Sequence, residues 1–139
     1  MIVVDTNVFI GACQGQSASN RLIALCIQGR VTPVMGSALM LEYEDVMARR
    51  EVLERCPLPE EERRALIDGL LSRCELVEVY CAWRPNLRDE GDNHVFELAV
   101  AAGSAPLLTY NVRDFAHPQL KFPNLQILSP AQWLQTNRS

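Results

Sequence analysis

The chain alternates short apolar runs with longer segments in which apolar residues recur every three or four positions. Such runs are typical of strands, and the longer spacing is typical of amphipathic helices. We predict strands at 2–5, 31–35, 75–80, 106–109 and 125–128. We predict helices at 17–28, 37–50, 59–73, 93–102 and 131–135. This alternation indicates an α/β fold with a short, mostly parallel central sheet and helices on both faces.

Local signals place several boundaries of these elements. Ser17 or Ser19 is expected to be the N-cap of the first helix, with Gly29 just past its end. Ser37 is expected to cap the second helix. Pro33 cannot donate a ladder hydrogen bond, so the second strand should lie near an edge of the sheet or be irregular.

The composition is that of a globular protein with one domain, spanning residues 1–139. Hydrophobic residues make up 48% of the chain and charged residues 22%, and no apolar run approaches the ~20 residues of a membrane span. No secretory signal is recognisable at the N-terminus. The five scattered cysteines form no metal-binding or disulfide pattern, so we interpret them as core residues. We therefore expect a cytoplasmic protein without membrane contact.

The net charge of −4 argues against broad, charge-driven binding of nucleic acid. Two details qualify that conclusion. Nearly all the positive charge is arginine, which pairs well with phosphate, and Lys121 is the only lysine. Acids gathered around one metal ion would also leave the rest of the surface more basic.

The first predicted strand ends in a carboxylate, a group that a buried strand normally excludes. Asp5 ends the run IVVD, and Thr6 and Asn7 come directly behind it. Parallel α/β sheets place their sites at the carboxyl ends of strands. Asp5 is therefore expected to open into a crevice there.

Glu42 lies on the apolar face of the second predicted helix, between Leu39 and Val46. An acid at the edge of an amphipathic face, paired with an arginine, is the plain structural alternative. Asp89 and Asp92 precede the helix at 93–102, where Asp92 or Asn93 is a natural N-cap. Capping explains one of these two aspartates but not both.

The strand at 106–109 also ends in small polar residues, with Thr109, Asn111 and then Asp114. A turn closed by an Asx side chain is the structural alternative. We interpret both histidines, His94 and His117, as surface or loop residues rather than metal ligands.

Asp5 and Asp114 follow the ends of predicted strands. Glu42 and Asp92 belong to helices that should begin near those strand ends. Four or five carboxylates in one crevice repel each other strongly unless a cation binds. Oxygen ligands without Cys or His suit Mg²⁺ or Mn²⁺. The pattern thus favours metal-assisted phosphoryl chemistry.

Four blocks of the sequence, in order, resemble the PIN-domain ribonucleases over nearly the whole chain. The blocks are VVDTNVFIGA, SALMLEYEDVMARR, RDEGDNHVFELAVAAG and LLTYNVRDF. The closing ILSPAQWL is similar to the tail of the VapC-like toxins of toxin–antitoxin pairs. The resemblance implies a three-layer, Rossmann-like PIN fold and metal-dependent cleavage of RNA. It also implies an antitoxin partner and frequent homodimers.

The resemblance also implies roles for individual residues. Asp5, Glu42 and Asp92, with Asp114 nearby, would be the catalytic metal ligands, and Asp89 would complete the acidic wall. In the fourth block either Asp114 supplies the charge or the ligand is Asn111, which is neutral. The supporting residues would be Thr6, Asn7, Thr109 and Asn111. As a separate hypothesis, Arg88 and Arg113 would bind phosphates that flank the cleaved bond; the structural alternative is that they are solvated loop residues.

Two other functions stay open. One is a PIN-like module that binds RNA or protein without catalysis. The other is a phosphatase with an aspartate nucleophile, which would want a second Asp where Asn7 stands and a lysine near the site.

Overall fold

The computed structural model describes residues 1–79, 93–115 and 124–137. Its strands are β1 (Ile2–Val4), β2 (Pro33–Met35), β3 (Glu75–Leu76), β4 (Leu107–Leu108) and β5 (Ile127–Leu128). Its helices are α1 (Thr6–Cys13), α2 (Ser17–Ile27), α3 (Ser37–Ala48), α4 (Arg50–Glu54), α5 (Glu60–Ser72), α6 (Asn93–Ala101) and α7 (Pro130–Thr136). The described strands form one parallel sheet in the order β3-β2-β1-β4-β5.

The strand order explains why helices cover both faces of the sheet. The chain steps outward from β1 to β2 to β3, and then returns through α6 to β4 on the other side of β1. Because parallel crossovers are right-handed, α6 lies on the face opposite the helices that connect β1 to β2. The predicted three-layer α/β fold is confirmed.

The core follows from strands that are apolar along their whole length. All residues of β1, β2 and β4 are buried, as the two covered faces require. β2 is second from the edge, and Pro33 is its first residue, where its missing N–H is tolerated. In the described ranges no helix is long and apolar enough to cross a membrane.

The helix α1 was not predicted. It begins directly after β1, without an intervening turn, and its N-cap is Asp5, whose carboxylate accepts the N–H of Thr6 at 2.8 Å. The sequence prediction assigned Asp5 to the strand and no helix to residues 6–13. Most of α1 is buried, so its sequence lacks the polar face by which an amphipathic helix is recognised.

The serine N-caps predicted for α2 and α3 are wrong. Ser17 and Ser19 both lie inside α2, whose N-cap is Gln16, and Ser37 is the first residue of α3 after the N-cap Gly36. In both helices the extended residue that precedes the first turn carries no capping hydrogen bond from its side chain. Gly29 lies just past the end of α2, as predicted, and its φ of +79° is the left-handed conformation common at helix ends.

Three elements differ from prediction in extent. The segment predicted as one helix at 37–50 ends at Ala48, and a separate short helix, α4, follows. The strand β3 has two residues, both exposed, rather than the six predicted at 75–80. The turn predicted after β4 contains a 3-10 helix at Val112–Phe115.

Tyr43 fastens α3 to the end of β1. Its side chain is fully buried, and its hydroxyl donates to the carbonyl oxygen of Val4 at 2.5 Å. The bond holds the neighbouring residue, Glu42, beside the carboxyl end of the sheet.

Replacing Tyr43 with phenylalanine should lower the free energy of unfolding by about 1–3 kcal/mol, because the buried Val4 carbonyl loses its donor. Urea denaturation followed by circular dichroism measures this directly. An unchanged midpoint would show that the hydroxyl contributes nothing to the attachment of α3.

Candidate active site

Asp5 lies at the carboxyl end of the central strand and is 3% exposed. Its Oδ1 accepts the backbone N–H of Thr6 at 2.8 Å, and its Oδ2 accepts the hydroxyl of Thr109 at 2.9 Å. The carboxylate is therefore held both by the helix that it begins and by the end of β4.

Thr109 joins the two strand ends. Its Oγ1 donates to Asp5 and accepts the side-chain N–H of Asn7 and the backbone N–H of Asn111, both at 3.1 Å. The Oδ1 of Asn7 in turn accepts the backbone N–H of Tyr110 at 3.2 Å. These bonds fix the loop after β4 against the start of α1.

Glu42 approaches Asp5 from α3. The hydroxyl of Thr6 donates to Glu42 Oε1 at 2.7 Å and lies 3.5 Å from Asp5 Oδ1. One hydroxyl group thus separates the two carboxylates. Since α3 follows β2 and α1 follows β1, neighbouring parallel strands bring the two acids together.

The two acids have opposite pKa shifts. Burial raises the pKa of Asp5; the Thr109 hydrogen bond lowers it in part, and the charge of Glu42 raises it further. Burial also raises the pKa of Glu42, but hydrogen bonds from His94 and Thr6 outweigh it and leave that pKa below its ordinary value. The charged form of Glu42 is thus stabilised, whereas burial disfavours the charged form of Asp5.

His94 is a member of the cluster that sequence reasoning missed. Its Nε2 lies 2.5 Å from Glu42 Oε2, and its side chain is 22% exposed, so the interpretation as a surface residue is wrong. A signal was available: His94 lies in the first turn of α6, a helix already expected to begin near the strand ends. His117 lies outside the described residues.

The remaining predicted site residues are only partly described. Arg88, Asp89 and Asp92 lie outside the described residues, and Asp114 lies in the 3-10 helix with its side chain outside the described part. Arg113 is exposed, and so is Asn111, whose contact with the cluster is made by its backbone N–H. The described residues therefore unite Asp5, Glu42, Thr6, Asn7 and Thr109 of the predicted set.

The donor atoms fit a hard divalent cation. Two carboxylates meet at one hydroxyl, and the closeness of Glu42 contributes to the raised pKa of Asp5. Within the described ranges no group of three His, Cys, Asp or Glu side chains could hold a metal ion. Mg²⁺ often takes only one or two carboxylates and keeps several waters, so a pair of this kind is compatible with it.

An aromatic side chain that was also not predicted flanks the site. Tyr110 is 40% exposed, and its hydroxyl is hydrogen-bonded to Ser19. It lies against Gly11, where an added Cβ would be 2.9 Å from Ser19 Oγ and 3.1 Å from the tyrosine ring. The absence of a side chain at Gly11 thus allows Tyr110 to reach Ser19.

For the RNA cleavage that the sequence resemblance implies, replacing Thr109 with valine should lower activity about 10- to 100-fold, because Asp5 loses the hydroxyl that orients it. Serine at this position keeps the hydroxyl and should retain most activity. Steady-state rates of the two variants, each checked for an unchanged circular dichroism spectrum, provide the test. Equal activity of the valine and serine variants would contradict an orienting role.

Comparison with known proteins is consistent with this geometry. A family model described as PIN domain matches residues 1–113. The crystal structure of VapBC2 from Rickettsia felis, bound to a DNA fragment from their promoter, is similar in fold, with a TM-score of 0.56 and 19% sequence identity. The match covers 91% of this chain and 97% of that one. None of the curated proteins matches this chain. Since the family model covers most of the sequence, the chain belongs to the PIN domain family.

Proposed function

We propose that this protein is a metal-dependent endoribonuclease that hydrolyses RNA phosphodiester bonds. PIN domains are generally nucleases that use divalent metal ions, which supports this class of reaction. The observation that carries the proposal is the meeting of Asp5 and Glu42 at the hydroxyl of Thr6. A buried carboxylate with a raised pKa, beside a second carboxylate, is costly unless a cation binds there.

Asp5 and Glu42 would hold the ion, which we propose to be Mg²⁺ or Mn²⁺. Once bound, such an ion polarises a phosphate and lowers the pKa of a bound water. Thr109 orients Asp5, and Thr6 fixes the distance between the two carboxylates. Asn7 prevents the Thr109 hydroxyl from turning away, because it donates to the same oxygen.

We propose that acids outside this pair complete the site. Asp92 would be a direct ligand, with Asp89 beside it. Asp114 would supply the fourth acid, because the exposed Asn111 contacts the cluster through its backbone. Arg88 and Arg113 are proposed to contact phosphates that flank the cleaved bond.

We further propose that the nuclease is the toxin of a toxin–antitoxin pair. The similar solved structure is that of VapBC2 on DNA from its promoter, which supports an antitoxin partner for this chain. The resemblance of the closing ILSPAQWL to the VapC-like tail points the same way. A homodimer is part of the same proposal.

Removal of the metal tests the reaction. The purified protein should cleave single-stranded or structured RNA in Mg²⁺ or Mn²⁺, lose this activity in excess EDTA, and regain it when the ion is restored. Cleavage that persists in EDTA would refute the metal dependence. RNA binding without cleavage under every ion would instead assign the protein to the non-catalytic binding modules.

A further inference from the structure

Tyr110 places an aromatic ring beside the acidic cluster. It directly follows Thr109, whose hydroxyl binds Asp5, and its backbone N–H donates to Asn7 Oδ1 at 3.2 Å. Its ring lies against Gly11, where an added Cβ would be 3.1 Å from the ring atom Cε2. Gly11 follows Asn7 by four residues, which is about 6 Å along α1. The ring is therefore about one helical turn away from the residues that hold the carboxylate of Asp5.

The side chain of Tyr110 is held at both of its ends. At one end the backbone is fixed by Asn7, and at the other the hydroxyl is hydrogen-bonded to Ser19 of α2, which is fully buried. Gly11 has no side chain that would displace the ring. A ring whose rotamer is already fixed loses little conformational entropy when a ligand packs on it. Tyr110 is therefore preorganised for contact with a ligand.

Tyr110 is 40% exposed in spite of these contacts. Every other aromatic residue in the described ranges is at most 7% exposed. The hydroxyl and the backbone N–H of Tyr110 both have protein partners, so a need for hydrogen bonds to water does not explain the exposure. An aromatic side chain that is fixed in place and left uncovered is typical of a binding surface.

Packing between elements is the structural alternative for Tyr110. Its hydroxyl links the loop after β4 to α2, and that bond alone would give the residue a role in stability. Such a role depends on the hydroxyl and leaves the exposure of the residue unexplained. Phenylalanine at this position separates the two roles, because it removes the hydroxyl and keeps the ring.

The surroundings of the ring select the chemistry of its ligand. The ring offers a flat apolar face, and the carboxylates of Asp5 and Glu42 lie nearby. An isolated anion has no partner on such a face, whereas a planar, uncharged group packs well on it. In RNA a base is a group of this kind, and it is joined to the phosphates that the acidic cluster is proposed to act on. Aromatic side chains accept any of the bases, because every base has a π face.

We propose that Tyr110 is a platform on which an unpaired base of the RNA substrate stacks, next to the cleaved phosphate. Stacking there positions the strand and adds affinity without selecting one base. A base inside a duplex is covered by its neighbours, so the platform favours single-stranded RNA. This inference rests on the proposed nuclease function, which supplies the RNA.

Binding of RNA with and without bases tests the inference. The Asp5→Asn variant is used so that the RNA is not cut. Fluorescence anisotropy in Mg²⁺ gives the Kd of labelled UUUUUUU and of a labelled chain of seven abasic ribose phosphates, which carries the same charge. Addition of Tyr110→Leu should weaken binding of the uridine RNA about tenfold. The same change should leave the affinity for the abasic chain unaltered, because that chain has nothing to stack.

Tyr110→Phe is the matched control for this experiment. It loses the same bond to Ser19 as the leucine variant but keeps the ring. We expect it to bind the uridine RNA within about threefold of the parent, since stacking needs only the π face. Thermal melting of both variants confirms that each is folded, and the difference between them reports the ring alone.

Three outcomes would overturn the inference. The first is a leucine variant that binds the uridine RNA as well as the parent does, or that loses affinity equally for both chains. The second is a phenylalanine variant that loses as much affinity as the leucine variant, since the hydroxyl would then be responsible. The third is an absence of uridine RNA binding by the Asp5→Asn protein. Cleavage by the unmodified protein tests the nuclease proposal separately, so either proposal can fail alone.

Discussion

Replacing Asp5 with asparagine is expected to abolish RNA cleavage while making the protein more stable. The loss should reach about 1,000-fold, which corresponds to about 4 kcal/mol of lost transition-state stabilisation. The melting temperature should rise by about 1–4 °C. Burial raises the pKa of Asp5, so the folded protein resists the charge that asparagine removes. Rates on single-stranded RNA and differential scanning calorimetry measure the two effects.

Asparagine is a close structural match for this position. Its carbonyl oxygen can accept the Thr6 N–H that Asp5 accepts, so α1 keeps its N-cap. Asp68→Asn is the matched control, because Asp68 is exposed on α5 and loses the same charge. That control should cleave RNA at the normal rate. A variant at position 5 that loses activity and stability together would indicate a structural role for Asp5 instead.

Replacing Glu42 with glutamine should lower activity at least about 100-fold, because one of the two carboxylates proposed to hold the ion disappears. Glutamine can still accept the Thr6 hydroxyl, so the packing of α3 is retained. Loss of the pair with His94 should have a small effect on stability, since both side chains are partly exposed to water. Single-turnover cleavage rates at saturating Mg²⁺ provide the measurement.

Glu44→Gln serves as the control for this experiment. Glu44 lies two residues along the same helix and is exposed, so the change in net charge is identical. We expect normal cleavage from this variant. Comparable losses in the two variants would mean that overall charge, rather than the position of Glu42, determines activity.

The spacing of apolar residues was enough to predict the fold class, because strands buried on both faces have continuous apolar runs. It could not reveal α1, because a helix buried on most sides shows no amphipathic period. The serine caps failed for a different reason. Capping depends on the backbone angles of one residue, and Gln16 and Gly36 adopt the extended conformation that the neighbouring serines do not.

The candidate site was predictable in part because strand ends are visible in sequence. Asp5 and Thr109 each follow an apolar run, and neighbouring parallel strands make them meet. The pairing of His94 with Glu42 depends on how α6 packs near α3, which no local pattern specifies.

The carboxylate of Asp5 both starts a helix and belongs to the acidic cluster, and this overlap limits what can replace it. Glutamate keeps the charge, but its longer side chain is a poor cap. Asparagine keeps the cap and discards the charge. Aspartate and asparagine codons differ by a single base, so one point mutation is expected to convert this gene into one for a stable, inactive protein.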